Sequence, residues 1–231
     1  MTRADVFIEK YKELESLAVN NYNLPSDGRA VAYLGRMVQF RAVKKELSYC
    51  RDVRNLLQHG EKIGGNFAVE PSEDMVQMLI DVVEKVKNPL KCIDIAVLFK
   101  DMYWQTLDDP VYPAMQHMRR QGFAHTPILK GGHIIGVFSE KMVFSFLVDG
   151  DISHVNKEVK FKDIEKYLAL DAHGSEVFEF IHKDATVAEA ERACENAFRN
   201  RTRIGLFFIT HSGKPSEKVL GLLTPWEVVG N

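Results

Sequence analysis

The sequence predicts a mixed α/β (α+β) protein, in which a helical N-terminal domain precedes two βαββα modules that form a pseudo-two-fold pair. Three observations predict this. Apolar residues recur at helical spacing through residues 1–88. After Asn88-Pro89 the texture changes, and short β-type runs alternate with helical ones. The order of those runs then occurs twice. The expected domains are 1–88, helical, then 89–158 and 159–231, one module each.

The helical part reads in three pieces. Phe7, Tyr11, Leu14 and Leu17 give the first helix its stripe. Asn23, Pro25, Ser26 and Gly28 break it. The spacing of Leu34, Val38, Val43, Leu47, Cys50 and Leu57 predicts one long helix from about Ala30 to Gln58, stopped by Gly60, Gly64 and Gly65. Ser72 with Glu73 and Asp74 announces a third helix, whose stripe is Met75, Leu79, Val82 and Val86. Lys85 and Lys87 close it where cations suit the helix dipole.

In the second part, Thr126 to Leu129, Gly131-Gly132 and Ile134 to Phe138 predict a hairpin on a two-residue turn. A helix begins near Met142. Ile204 to Ile209, a polar turn through Ser212 to Pro215, and Val219 to Leu223 repeat the pattern, and a helix begins near Trp226. The first copy carries Asp108, Val111 and Ala114 before its helix, and the second carries Asp184, Val187 and Ala190.

Composition narrows the function classes. Hydrophobic residues make up 45% and charged ones 27%, an ordinary globular balance. A net charge of −2 advertises no global field for nucleic acid, so any such contact needs a local patch. Three cysteines far apart, with no CxxC, point to reduced thiols. The N-terminus lacks the apolar stretch of a secretory leader, and no run is long and apolar enough for a membrane span, so the expected compartment is the cytoplasm. The eight histidines are scattered, and no metal site is expected. No P-loop, dinucleotide fingerprint, HExxH or GxSxG is present.

The two copies resemble a CBS-domain pair. Ala185-Thr186-Val187-Ala188-Glu189-Ala190 and Gly221-Leu222-Leu223-Thr224-Pro225-Trp226-Glu227 match that family's helix start and strand-to-helix turn. In the first copy, Thr126-Pro127-Ile128-Leu129 and Gly136-Val137-Phe138-Ser139 match. The resemblance covers roughly residues 95–231. It implies an adenosine-type nucleotide as ligand (AMP, ATP or a related adenosyl compound), with a hydroxyl at the corner for phosphate and a carboxylate one turn later for ribose. Thr224 and Glu227 fill those roles in the second copy. Ser139 fills the first role in the first copy, but Met142 stands where the acid belongs; in the second copy Gly205 replaces the usual proline. Thr224 with Glu227 also reads as a plain capping box, with Pro225 at the first helical position.

Arg54-Asn55-Leu56-Leu57-Gln58-His59-Gly60 resembles the motif of HEPN domains, which include metal-independent ribonucleases. That resemblance implies catalytic roles for Arg54, Asn55 and His59: Arg for phosphate charge, Asn for orientation and His for proton transfer. Arg120 to His125 has the same bare spacing and reads as accidental. On one helix, residues five apart point roughly 140° apart, so the two side chains meet best where the helix ends or across a two-fold axis, and the resemblance implies the latter, in a homodimer. Arg36, Arg41, Lys44, Lys45 and Arg51 make the long helix locally basic, which suits RNA. The plain reading of His59 is a cation at a helix C-terminus. Three functions therefore stand: a nucleotide-sensing regulator of the helical domain, a ligand-gated ribonuclease, and a structural dimer without ligand.

Overall fold

The computed structural model describes residues 2–62, 64–67, 69–148, 158–174 and 176–229. The chain divides into two compact units, Met1–Leu90 and Lys91–Asn231.

The first unit is helical. In α1 (Arg3–Tyr22), Thr2 and Asp5 close a capping box, and Asn23 ends the helix in the left-handed region. Its buried side is Ala4, Phe7, Tyr11, Leu14 and Ala18. The single long helix expected over 30–58 is replaced by three pieces. These are α2 (Ala30–Leu34), a 3-10 segment (Val38–Val43) and α3 (Lys44–His59). The cause is local. Gly35 follows α2 and is a weak helix former, and Phe40 leaves helical geometry at φ −112°, ψ 17°. That bend carries the Phe40 ring into the core, edge-on to Tyr22 at 5.2 Å. Gly60 ends α3 because a Cβ there would sit 2.4 Å from the Leu56 carbonyl oxygen. In α4 (Glu73–Lys87), the Ser72 hydroxyl accepts from the Met75 N–H at 3.2 Å, and the expected stripe is buried.

The second unit has the mixed α/β architecture the sequence predicts, with strand, helix, strand, strand, helix in the second copy and the same order in the first save that a single bridging residue stands in place of the opening strand. In the first copy, α6 (Val111–Gln121) leads to β2 (His125–Lys130), β3 (His133–Ser139) and α7 (Glu140–Val148). β2 and β3 pair antiparallel around Gly131 and Gly132, both at positive φ as a two-residue turn requires. Gln105 bridges in parallel to Ile128 as the residue of a first strand. In the second copy, β4 (Glu176–His182) runs parallel to β5 (Arg203–Thr210), with α9 (Val187–Arg199) between them in sequence. β6 (Gly221–Leu223) then pairs antiparallel to β5, and α10 (Pro225–Val229) follows. The first copy repeats the antiparallel pair and reduces the parallel pairing to that single bridge.

A reciprocal exchange ties the copies together. The segment before the first copy, with α5 (Cys92–Ile95) and β1 (Val97–Leu98), packs on the second. Cys92 joins Ala185, Phe207, Ile209 and Leu223 in one core, and β1 pairs with β6. The Cys92 N–H donates to the Ala185 oxygen at 2.8 Å. The segment before the second copy returns the arrangement. Its 3-10 turn (Phe161–Ile164) and α8 (Glu165–Leu168) place Phe161, Ile164 and Leu168 in a core with Ala114, Ile128, Phe138 and Met142. The Phe161 N–H donates to the Asp109 oxygen at 3.1 Å.

The sequence reason is a short repeat, Lys91-Cys92-Ile93-Asp94-Ile95 and Lys160-Phe161-Lys162-Asp163-Ile164. In each, the aspartate accepts from the lysine backbone N–H, at 3.2 and 2.9 Å. Lysines of the two segments also reach matching acids: Lys91 bonds Asp184 at 2.7 Å and Lys162 bonds Asp108 at 3.2 Å. A glycine in the third strand of each copy, Gly136 within β3 and Gly221 at the start of β6, lies where the exchanged backbone crosses. A Cβ on Gly136 would be 2.6 Å from the Leu168 oxygen, and one on Gly221 would be 2.8 Å from the Val97 oxygen. Leu129, Ile134 and Val137 from the first hairpin face Leu206 and Phe208 from β5, closing a core between the copies.

Candidate functional site

The strand-to-helix corner of the second copy lies between β6 and α10. Thr224 and Glu227 are half-buried. The Thr224 N–H donates to Glu227 Oε2 at 2.7 Å, and the Thr224 hydroxyl donates to the same oxygen. The hydroxyl also accepts from the Trp226 N–H at 3.2 Å. Glu227 thus supplies one half of a capping box and the Thr224 hydroxyl caps the Trp226 N–H, with Pro225 at the first helical position, where its missing N–H costs nothing. The hydroxyl and the acid that the sequence singles out are therefore adjacent and engaged with each other. Trp226 is exposed beside them.

The equivalent corner of the first copy is closed. Ser139 ends β3 and is only 1% exposed. Its hydroxyl lies 3.4 Å from Nδ1 of His173. Met142, in the position of the missing acid, is buried in the core of that copy. The two corners share a position in the fold but not an environment.

A third constellation was not singled out by sequence. Glu176, the first residue of β4, has a side chain only 1% exposed. Its Oε1 accepts from Arg203 Nε at 3.0 Å and Nη2 at 2.8 Å. Its Oε2 lies 3.0 Å from His125 Nε2. His125 opens β2 and Arg203 opens β5, each two residues before the Pro127 or Gly205 of its copy. Phe178 packs edge-on against both His125 and His173. Burial alone would raise the Glu176 carboxyl, but the hydrogen bond and charge of His125, and then those of Arg203, outweigh it and hold it at about 2. Burial pushes His173 below the usual imidazole value. Gly205 has a reason here as well, since a Cβ would meet Phe178 at 2.9 Å and Glu176 at 3.0 Å. The signal in the sequence was a polar residue at the mouth of each apolar strand, invisible until the strands are set side by side.

This cluster sets an acid limit on stability. Glu176 is depressed in the folded state, so its contribution is complete above about 4.5 and is lost as pH falls through about 2. A histidine held below 6.5 likewise favours the unfolded chain as pH drops below that value. Urea unfolding across this range should show stability falling from near pH 6.5 downward and again below pH 4.5. Glu176→Gln should flatten the lower limb, and a lower limb unchanged in that variant would assign the acid loss to other groups.

In the helical unit, Arg54, Asn55 and His59 all lie on α3. Arg54 points back to α1, with Nη2 3.4 Å from Glu15 Oε1 and the guanidinium 5.4 Å from the centre of the Tyr11 ring. Its Nη1 donates to the Asn55 oxygen at 3.2 Å. His59, the last residue of the helix, is exposed. The Arg and His therefore serve different surfaces of one helix, as five-residue spacing requires.

Among the described residues, no group of three His, Cys, Asp or Glu side chains is placed to hold a metal ion. No described helix is long and apolar enough to cross a membrane.

No family model matches the sequence, and no curated protein matches it. Solved structures do match. One is AcuB from Vibrio cholerae, at 12% identity and a TM-score of 0.45, covering 62% of this chain and 89% of that one. A second is CBSX2 in complex with AMP, at 12% identity and 0.44, covering 61% and 94%. A third is the CBS domain pair of protein MJ0100 in complex with 5′-methylthioadenosine and S-adenosyl-L-methionine, at 15% identity and 0.43, covering 62% and 94%.

Proposed function

We propose that residues 91–231 are a CBS-type tandem pair that senses an adenosine-type nucleotide (AMP, ATP or a related adenosyl compound) and controls the attached helical unit. One observation carries this reading: two copies that each run an antiparallel strand pair into a helix end in equivalent corners, and one corner holds a hydroxyl and an acid side by side. Thr224, with the amides that follow it, is suited to a phosphate, and Glu227 to the ribose hydroxyls. Binding exchanges the internal capping box for bonds to the ligand, so the Thr224–Glu227 pair must open first. The second corner is the site we assign. Ser139 could act in the first only if His173 moved aside, and Met142 supplies no acid there.

Thermal unfolding of the full chain with a panel of adenine nucleotides tests this. A ligand at 100 times its Kd adds about 2.7 kcal/mol to stability. Thr224→Ala should cost about 1 kcal/mol by loss of the cap alone, and it should also abolish the nucleotide-induced rise in Tm. A rise of equal size in the variant would remove Thr224 from the site. No rise with any nucleotide would end the sensing proposal.

In the same reading the helical unit is HEPN-like and the chain works as a homodimer. Arg54, Asn55 and His59 would then form a ribonuclease site only between two copies. Arg54 would have to leave Glu15 and Tyr11 to join it. Incubation with RNA in EDTA, with and without nucleotide, separates this from pure regulation: cleavage by the wild type that His59→Ala lacks would establish it, and intact RNA in both would dismiss it.

A further inference from the structure

Between Asp27 and Glu46 the chain carries Arg29, Arg36, Arg41, Lys44 and Lys45 and no acid. The structure places Arg29 just before α2 and Arg36 just after it, Arg41 in the 3-10 segment, and Lys44 and Lys45 in the first turn of α3. Arg29 is paired with Asp27 at 3.3 Å, and Arg36 lies over the Tyr33 ring at 5.6 Å. Arg41, Lys44 and Lys45 are exposed. Lys44 and Lys45 stand in the first turn of α3, which no side chain caps. Cations are disfavoured at that end of a helix. Glu46 is the one acid in that turn, and its Oε2 is buried. Tyr49, one turn beyond Lys45 on the same side, is 57% exposed. A local cost is thus borne by two lysines that form no ion pair among the described residues, beside an exposed aromatic ring.

We infer that this strip, Arg41, Lys44, Lys45 and Tyr49, docks a single-stranded polynucleotide. The cations meet successive phosphates, and Tyr49 offers a face on which a base stacks. That combination of backbone charge and aromatic platform fits unpaired nucleic acid, whereas an acidic peptide has no base to stack. The inference does not use the corner at Thr224 or the Arg54 motif, and it holds or fails separately from both.

Fluorescence anisotropy of the full chain with labelled single-stranded RNA and DNA of mixed sequence tests it, with polyglutamate as competitor. Three phosphate contacts at about −0.7 each predict a log–log salt slope of about −2. Lys44→Glu/Lys45→Glu should weaken binding tenfold or more and reduce the slope, while Tm stays level or rises because acids suit a first helical turn. Tyr49→Ala should weaken binding about fivefold or more. Preference between the RNA and DNA arms identifies the natural strand. The inference is overturned if neither strand binds, if the charge-reversed variant binds as the wild type does, or if polyglutamate competes as well as nucleic acid.

Discussion

Phe161→Ala is expected to cost about 3–5 kcal/mol, more than any other single truncation proposed for this chain. Phe161 is fully buried, and its ring meets Phe138 edge-on at 5.3 Å. Its position in the chain makes the loss informative. It lies in the connector, before the second copy begins, yet its contacts are with Val111, Ala114, Ile128 and Phe138 of the first. A cavity there undermines a segment that has only a short 3-10 turn and one turn of helix to hold it. Chemical denaturation of residues 91–231 within the full chain should show the loss in a single transition. A cost below about 1 kcal/mol would mean that the connector does not hold the first copy together.

The second expectation concerns sign. Replacing a strand glycine by alanine, where there is room, stabilises a protein by about 0.4–1 kcal/mol through the unfolded chain. Gly136→Ala should do the reverse, by about 1–3 kcal/mol, because its Cβ would lie 2.6 Å from the Leu168 oxygen and 2.9 Å from the Leu168 Cβ. Backbone cannot turn away as a flexible side chain can. Gly221→Ala should follow, since Val97 oxygen is 2.8 Å away and Leu98 Cα 3.4 Å. Thermal unfolding of the two variants gives the answer directly. A rise in Tm for either would show that the crossing segment yields, and the close approach would lose its meaning.

These glycines show where sequence reasoning reached and where it stopped. Gly136 and Gly221 were legible by their matching places at the end of each hairpin, ahead of the turn into a helix. Their physical reason was not, because it lies in a backbone crossing from elsewhere in the chain. The Gly131-Gly132 hairpin and the Ser72 cap were legible for the opposite reason, since turn and cap chemistry act within a few residues. The bend at Phe40 was missed because apolar spacing runs evenly through it, and core packing decided against the longer helix. The exchanged segments were missed because neither is long enough to show a period, although Lys-x-x-Asp-Ile occurs twice. At the candidate site, Thr224 and Glu227 were found by type and spacing, and the structure puts them in contact. The Glu176 cluster draws its residues from β2, β4 and β5, and no spacing along the chain could bring it into view.

The exchange of segments bears on how a signal would spread. Each copy is finished by a piece of chain that belongs, in order, to the other, so neither can loosen without releasing part of its neighbour. Cutting the chain near residue 158 would yield two incomplete halves, each lacking a piece that follows or precedes the cut. For the same reason a small molecule seated at one end would tighten both halves at once, giving a single switch in place of two independent ones.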